Sequence, residues 1–405
     1  MLALFTFFFT GLARAATLGL DQIPATPTDG PVTLFYPAES PPQRVQRGPF
    51  AFDAAPGATP VRGNGRLVVV SHGSGGAPWV HVDQARSLVA AGFVVAMPEH
   101  RADNARDGSD PGPDSWTQRP AEVSRAIDAV GRDPRFAPLL RLDRVGLYGI
   151  SAGGHTALSL AGGRWSPAAF ARHCDTHLDE DFQFCVGLIT RLTGGPLDGL
   201  KRWGARTVIR HRFAADTRMR EDHDPRVAAA VAGVPGAADF DLDSLATPRI
   251  PLALIGARQD RWLIPRFHGD AVLAVCRPRC ELLADLALGN HGSLLSPQPP
   301  ALDGLIGDLL NDPPGFDRSA VRAAETGTTA FFSRHLLPLD PHFRVERANA
   351  RAPDSADGQL PQPGAAPALT APTPPFPMFH SEPAPCRLCV FSDPRITRKR
   401  KESQP

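Results

Sequence analysis

The feature that most narrows the possible folds is a junction. Arg144-Val-Gly-Leu-Tyr-Gly149 is a short apolar run with strand character. It passes without a linker into Ile150-Ser151-Ala152-Gly153-Gly154 and then into the helix-forming His155-Thr-Ala-Leu-Ser-Leu160. Glycines two residues before and two after a serine let a strand turn sharply into a helix. Such a turn lifts the serine hydroxyl clear of the backbone, and larger residues at the glycine positions would clash. A continuous apolar strand of this kind is buried on both faces, which requires helices on either side of its sheet.

The neighbouring segments agree. Arg66-Leu-Val-Val-Val-Ser71 and Phe93-Val-Val-Ala-Met97 read as buried strands, with His81–Ala91 between them at helical spacing, and Val32–Tyr36 reads as an earlier strand. Val123, Ala126, Ile127 and Val130 fall at i, i+3, i+4 and i+7, an amphipathic helix that Pro120 is expected to open. Strands Val227–Ala232 and Ile250–Gly256, the apolar run Glu281–Leu288 and a helix Ser319–Leu337 follow. The alternation predicts an α/β fold with a mostly parallel central sheet flanked by helices. Residues 163–224 interrupt the pattern and read as a cap-like insertion over the carboxyl edge of the sheet. At 405 residues and 42% hydrophobic content, the chain can bury one large core. A net charge of +1, with arginines scattered rather than clustered, gives no field for nucleic acid.

Both ends read differently. Residues 1–15, an apolar run ending in Ala13-Arg14-Ala15, have the form of a secretory signal cut after Ala15 or Ala16, and are too short for a permanent membrane span. The 43 prolines concentrate partly in residues 346–405, which are expected to be a disordered Pro-rich tail. The remainder, 16–345, is the expected folded domain. Six cysteines form three pairs close in sequence: Cys174 and Cys185, Cys276 and Cys280, Cys386 and Cys389. Local disulfides in an oxidising, secreted or periplasmic compartment suit that spacing. Cys386 and Cys389 lack a second pair to complete a zinc site.

The chemistry starts from the serine at the elbow. Ser151 needs a base, and the base needs an orienting carboxylate. In a sheet of this type the chain order is serine, acid, histidine. Asp260 stands just past the strand ending at Gly256, and His291 follows the last strand in Gly289-Asn-His-Gly292. Asp239 and Asp241 are the alternative acids. Ser71-His-Gly-Ser-Gly-Gly76, after an earlier strand, can aim the N–H of Ser74 at a developing oxyanion, together with the N–H of Ala152. His72 is expected to brace that loop.

At these residues the chain resembles the bacterial predicted dienelactone hydrolases, a branch of the α/β-hydrolases similar to platelet-activating-factor acetylhydrolases. The resemblance rests on Thr33-Leu-Phe-Tyr-Pro37, Leu67–Gly76, Pro98-Glu-His-Arg-Ala-Asp-Asn104, Trp116-Thr-Gln-Arg-Pro120, Gly149–Gly154 and Thr329–His335. It implies an α/β-hydrolase fold, a Ser151/Asp260/His291 triad and a Ser74/Ala152 oxyanion hole. True dienelactone hydrolases carry a cysteine nucleophile, whereas this elbow holds Ser151, so the family name does not transfer as a substrate. The expectation is a serine-dependent hydrolase of small or lipid-like carboxylic esters that needs no metal or organic cofactor. An acyltransferase, a peptidase or a catalytically silent binding module of the same fold are the alternatives.

Overall fold

The structure, a computed structural model, describes residues 16–338. The proposed signal segment, the Pro-rich tail and the Cys386/Cys389 pair lie outside the described residues. The strands are β1 (Thr17–Ile23), β2 (Val32–Ala38), β3 (Gln43–Arg47), β4 (Phe50–Pro56), β5 (Leu67–Ser71), β6 (Val94–Pro98), β7 (Val145–Ile150), β8 (Arg164–Trp165), β9 (Val227–Gly233), β10 (Phe240–Asp241), β11 (Leu252–Ala257) and β12 (Cys280–Leu286). Ten of them form one sheet in the order β12-β11-β9-β7-β5-β6-β2-β1-β4-β3, and β8 pairs with β10 separately. The six strands from β12 to β6 are mutually parallel. Strand β2 then joins β6 antiparallel, and β1 joins β2 antiparallel.

The helices are α1 (Val82–Ala90), α2 (Pro113–Arg132), α3 (Ala152–Leu160), α4 (Pro167–His177), α5 (Phe182–Val186), α6 (Asp198–Phe213), α7 (Leu242–Leu245), α8 (Gly269–Cys276), α9 (Gly304–Leu310) and α10 (Ser319–Leu336). Alternate residues of a strand point to opposite faces, so the central strands feed two cores. Leu67, Val69, Leu147 and Leu254 pack with α2, α3 and α8 on one side. Val68, Val70, Tyr148 and Ile255 pack with α1 and α10 on the other. This is a mostly parallel α/β sheet with helices on both faces.

The structure differs from the sequence expectation in three places. Pro120 does not open its helix: α2 begins at Pro113 and carries Pro120 in its second turn, with Trp116, Val123 and Ile127 burying the same side. Tertiary burial of that face holds the helix through a residue that cannot donate a backbone hydrogen bond. Strands β1, β3, β4, β8 and β10 are not among the expected ones: polar residues mask the period of β1 and β3, and β8 and β10 are two residues each. Residues 163–224, which show no regular pattern in the sequence, contain the helices α4, α5 and α6.

Candidate active site

Strand β5 has β6 on one side and β7 on the other, so the chain reverses its direction of sheet growth there. The crevice beyond the carboxyl ends at such a reversal is where α/β sheets hold ligands. The expected residues collect at these strand ends. Ser151 follows β7 with φ +58° and ψ −116°, a conformation costly for a non-glycine residue, about 1–3 kcal/mol. Three hydrogen bonds over-determine it. Its N–H donates to Gly233 O at 3.0 Å, and its carbonyl accepts from His155 N at 2.9 Å and Gly236 N at 3.2 Å. The glycines are required by contact. A Cβ on Gly149 would lie 1.9 Å from Gly153 O, and one on Gly153 would lie 1.9 Å from Ser71 O.

His291 opens a single 3-10 turn, His291–Leu294, after β12. Asn290 and Ser293 form a reciprocal cap around it, and Asn290 Nδ2 donates to Asn311 O at 2.6 Å, which fixes the turn. Its ring bridges two partners: Nε2 is 2.9 Å from Ser151 Oγ and Nδ1 is 2.7 Å from Asp260 Oδ2. The other oxygen of Asp260 accepts the N–H groups of Trp262 at 2.8 Å and Leu263 at 2.9 Å. An ionised carboxylate only accepts, so the proton sits on Nδ1 and Nε2 is free to accept from the serine hydroxyl. Asp260 and His291 are buried and Ser151 is half-buried.

The alternative acids are engaged elsewhere. Asp239 Oδ2 lies 3.1 Å from His155 Nε2, and Asp241 pairs with Arg164 at 2.7 Å. Among the described residues, no acceptor takes the N–H of Ser74 or of Ala152. The first follows β5 and the second opens α3, where the helix's own N–H groups are unpaired. His72 donates Nδ1–H to Gly73 O at 2.7 Å and accepts His100 N–H at Nε2, 3.1 Å away. Burial, reinforced by His100, holds its pKa well below the usual histidine range, so it is a neutral brace.

Sequence reasoning missed the polar scaffold beneath this loop. Ser71 Oγ meets His100 Nε2 at 2.8 Å, and His100 Nδ1 meets Glu122 Oε2 at 2.6 Å. Burial lowers the His100 pKa and raises that of Glu122. Arg119 and Asp103, both buried, pair at 2.8 Å. The available signal was the spacing of Ser115, Arg119 and Glu122 at i, i+4 and i+7, a polar stripe on one face of α2.

The 163–224 segment reaches the site edge. Leu188 Cδ1 lies 3.9 Å from where a Cβ on Gly75 would be, and Leu188 and Ile189 are exposed. Asp181 accepts from Ile264 N at 3.2 Å and sits between His173 (2.8 Å) and His268 (2.9 Å). Disulfides join Cys174 to Cys185 and Cys276 to Cys280.

No protein-family model matches the chain, and no curated protein matches it. Among solved structures, it is similar to a ferulic acid esterase from Streptomyces cinnamoneus. The likeness covers 81% of this chain and 92% of that one, at 17% sequence identity and a TM-score of 0.50. At that identity the likeness is one of fold.

Proposed function

We propose that the chain is a serine-dependent carboxylic ester hydrolase of the α/β-hydrolase type. The observation that carries the reading is the hydrogen-bonded line Ser151–His291–Asp260. It is mounted on a strained elbow beside two N–H groups without acceptors among the described residues. His291 Nε2 takes the hydroxyl proton as Ser151 Oγ attacks the ester carbonyl. The imidazolium that forms is stabilised by Asp260 and later protonates the leaving alcohol. Ser74 N–H and Ala152 N–H stabilise the oxyanion of the tetrahedral intermediate. Water, activated by the same histidine, then hydrolyses the acyl-enzyme.

The exposed Leu188 beside the oxyanion loop, with the exposed Ile189 next to it in the chain, favours an apolar acyl or alkyl group, in small or lipid-like esters. Residues 163–224 would act as a cap that shapes this side of the site, within a hydrolase domain 16–345 between a signal 1–15 and a tail 346–405. Export, secreted or periplasmic, is part of the reading. The two disulfides suit an oxidising compartment, and no described helix is long and apolar enough to cross a membrane.

The test is covalent labelling with a fluorophosphonate, alongside turnover of a chain-length series of nitrophenyl esters. Ser151→Ala is expected to abolish labelling and lower turnover on the order of 10³-fold or more. Labelling that survives in Ser151→Ala would refute the assignment of the nucleophile.

A further inference from the structure

The segment that carries Ser74 lacks regular structure, yet its N–H must be held to within roughly 0.5 Å to act on an oxyanion. We propose that the buried Asp103–Arg119 pair is the positioning device that sets the Ser74 N–H, a role that rests on the ester-hydrolase reading.

Asp103 grips the loop on both sides of that N–H. Its Oδ1 accepts the hydroxyl of Ser74 at 2.5 Å and the N–H of Gly75, the next peptide, at 3.0 Å. With the side chain of Ser74 and the following peptide both tethered to one oxygen, the Ser74 peptide has little freedom to turn. Arg119 holds the other end of the loop. Its Nη1 donates to His72 O at 2.5 Å, its Nη2 to Asp103 Oδ2 at 2.8 Å, and its Nε to Ser115 Oγ at 2.9 Å. One planar fork thus ties β5, the loop after β6 and helix α2 together. A lysine ammonium, a single point on a flexible stem, cannot meet three acceptors spread in that fashion.

Charge gives a second reason for the pairing. A lone buried carboxylate under the oxyanion loop would oppose negative charge developing at the substrate carbonyl. The Arg119 guanidinium cancels it, so Asp103 can act as an acceptor without imposing its field. Both side chains are fully desolvated, where charge-assisted hydrogen bonds are strong and losing either partner is costly.

The test compares an ester with its thionoester analogue in wild type, Arg119→Lys, Asp103→Asn and Ser74→Ala. Sulfur is a weak hydrogen-bond acceptor, so the thionoester draws little from an oxyanion hole. A displaced donor should therefore slow the ester more than the thionoester. Arg119→Lys and Asp103→Asn are expected to lower kcat on the ester about 10–100-fold, less than loss of a whole donor, with KM unchanged. The ester-to-thionoester rate ratio should fall with kcat. Ser74→Ala keeps the N–H but loses one tether, and should lower the same ratio by less.

A variant that slows both substrates equally, or neither, overturns the positioning role. Should the two buried variants fail to fold by circular dichroism, Ser74→Ala decides, because Ser74 is exposed; a wild-type ratio in it overturns the proposal. A wild-type chain with neither fluorophosphonate labelling nor ester turnover overturns the ester-hydrolase reading and this role with it. A labelled, active wild type whose variants keep the ratio overturns this role alone.

Discussion

Asp260 spends one oxygen on the N–H groups of Trp262 and Leu263 and has only the other to offer His291. In Asp260→Asn those two donors would keep the amide oxygen, turning the amide nitrogen toward His291 Nδ1. The imidazole proton would then move to Nε2, facing Ser151, and the ring could no longer accept. Turnover of a nitrophenyl ester is expected to fall about 10⁴-fold with little change in KM. Asp239→Asn is the control at the same scale. It removes the charged partner of the buried His155, so urea denaturation should show lost stability while kcat stays within a few-fold of wild type. The sequence leaves three acids open because each follows an apolar segment. In the structure Asp239 meets His155, Asp241 meets Arg164, and Asp260 meets His291.

At the scale of elements, helices α4 and α5 are joined by the Cys174–Cys185 disulfide, 11 residues apart in sequence. Asp181, at the head of α5, binds His173 of α4 and His268 at the start of α8, and also accepts from Ile264 in the segment after Asp260. The segment most weakly marked in the sequence is therefore closed on itself by a disulfide and tied by hydrogen bonds to the stretch that follows Asp260. Replacing Cys174 and Cys185 together with serine is expected to cost about 3 kcal/mol by chain-entropy arithmetic for a loop of this size. The oxidised protein's urea midpoint, compared with that of the variant, measures it; identical midpoints would mean the bridge constrains nothing that unfolding releases. Helix α2 teaches a related lesson. Its apolar spacing was legible, but its start was not, because burial of Trp116 and Arg119 extends it past Pro120 toward its N-terminus.

Taken whole, the molecule holds three buried neutral histidines around the loop after β5. Burial lowers the pKa of His72 and His100 well below the ordinary value, with His100 adding to the first effect and Arg119 to the second, and burial brings His81 to about 4. The unfolded chain protonates these side chains near pH 6.5 while the native state resists. Their contribution to stability is therefore complete above about pH 6.5 and is lost as pH falls below it, for His81 down to about 4. Each can contribute a slope of up to about 1.4 kcal/mol per pH unit in that window. Asp181 behaves separately. Burial would raise its pKa, but His268 and the hydrogen bonds from His173 and His268 outweigh it and hold it at about 2, so its contribution persists above about pH 4 and falls below. Unfolding free energies from urea titrations should hold from about pH 7.5 to 6.5 and then fall toward about pH 4.5; a flat profile below about pH 6.5 would contradict buried neutral histidines.

What the sequence by itself determined is local: the strand–elbow–helix at Ser151, the buried strands read from apolar runs, and the neighbouring pairs Cys174/Cys185 and Cys276/Cys280. Backbone conformation over a few residues depends mostly on those residues, so short-range pattern is enough. Tertiary structure alone decided which aspartate meets His291, and which arginine lies in the core. All but three of the 43 basic residues are arginine, and the polar stripe Ser115, Arg119 and Glu122 marks a helix face without telling that it is buried. A buried charge must find its partners within hydrogen-bond reach. Ser115 lies on the same helix, but Asp103 and the His72 carbonyl come to Arg119 from separate elements only after the sheet has assembled.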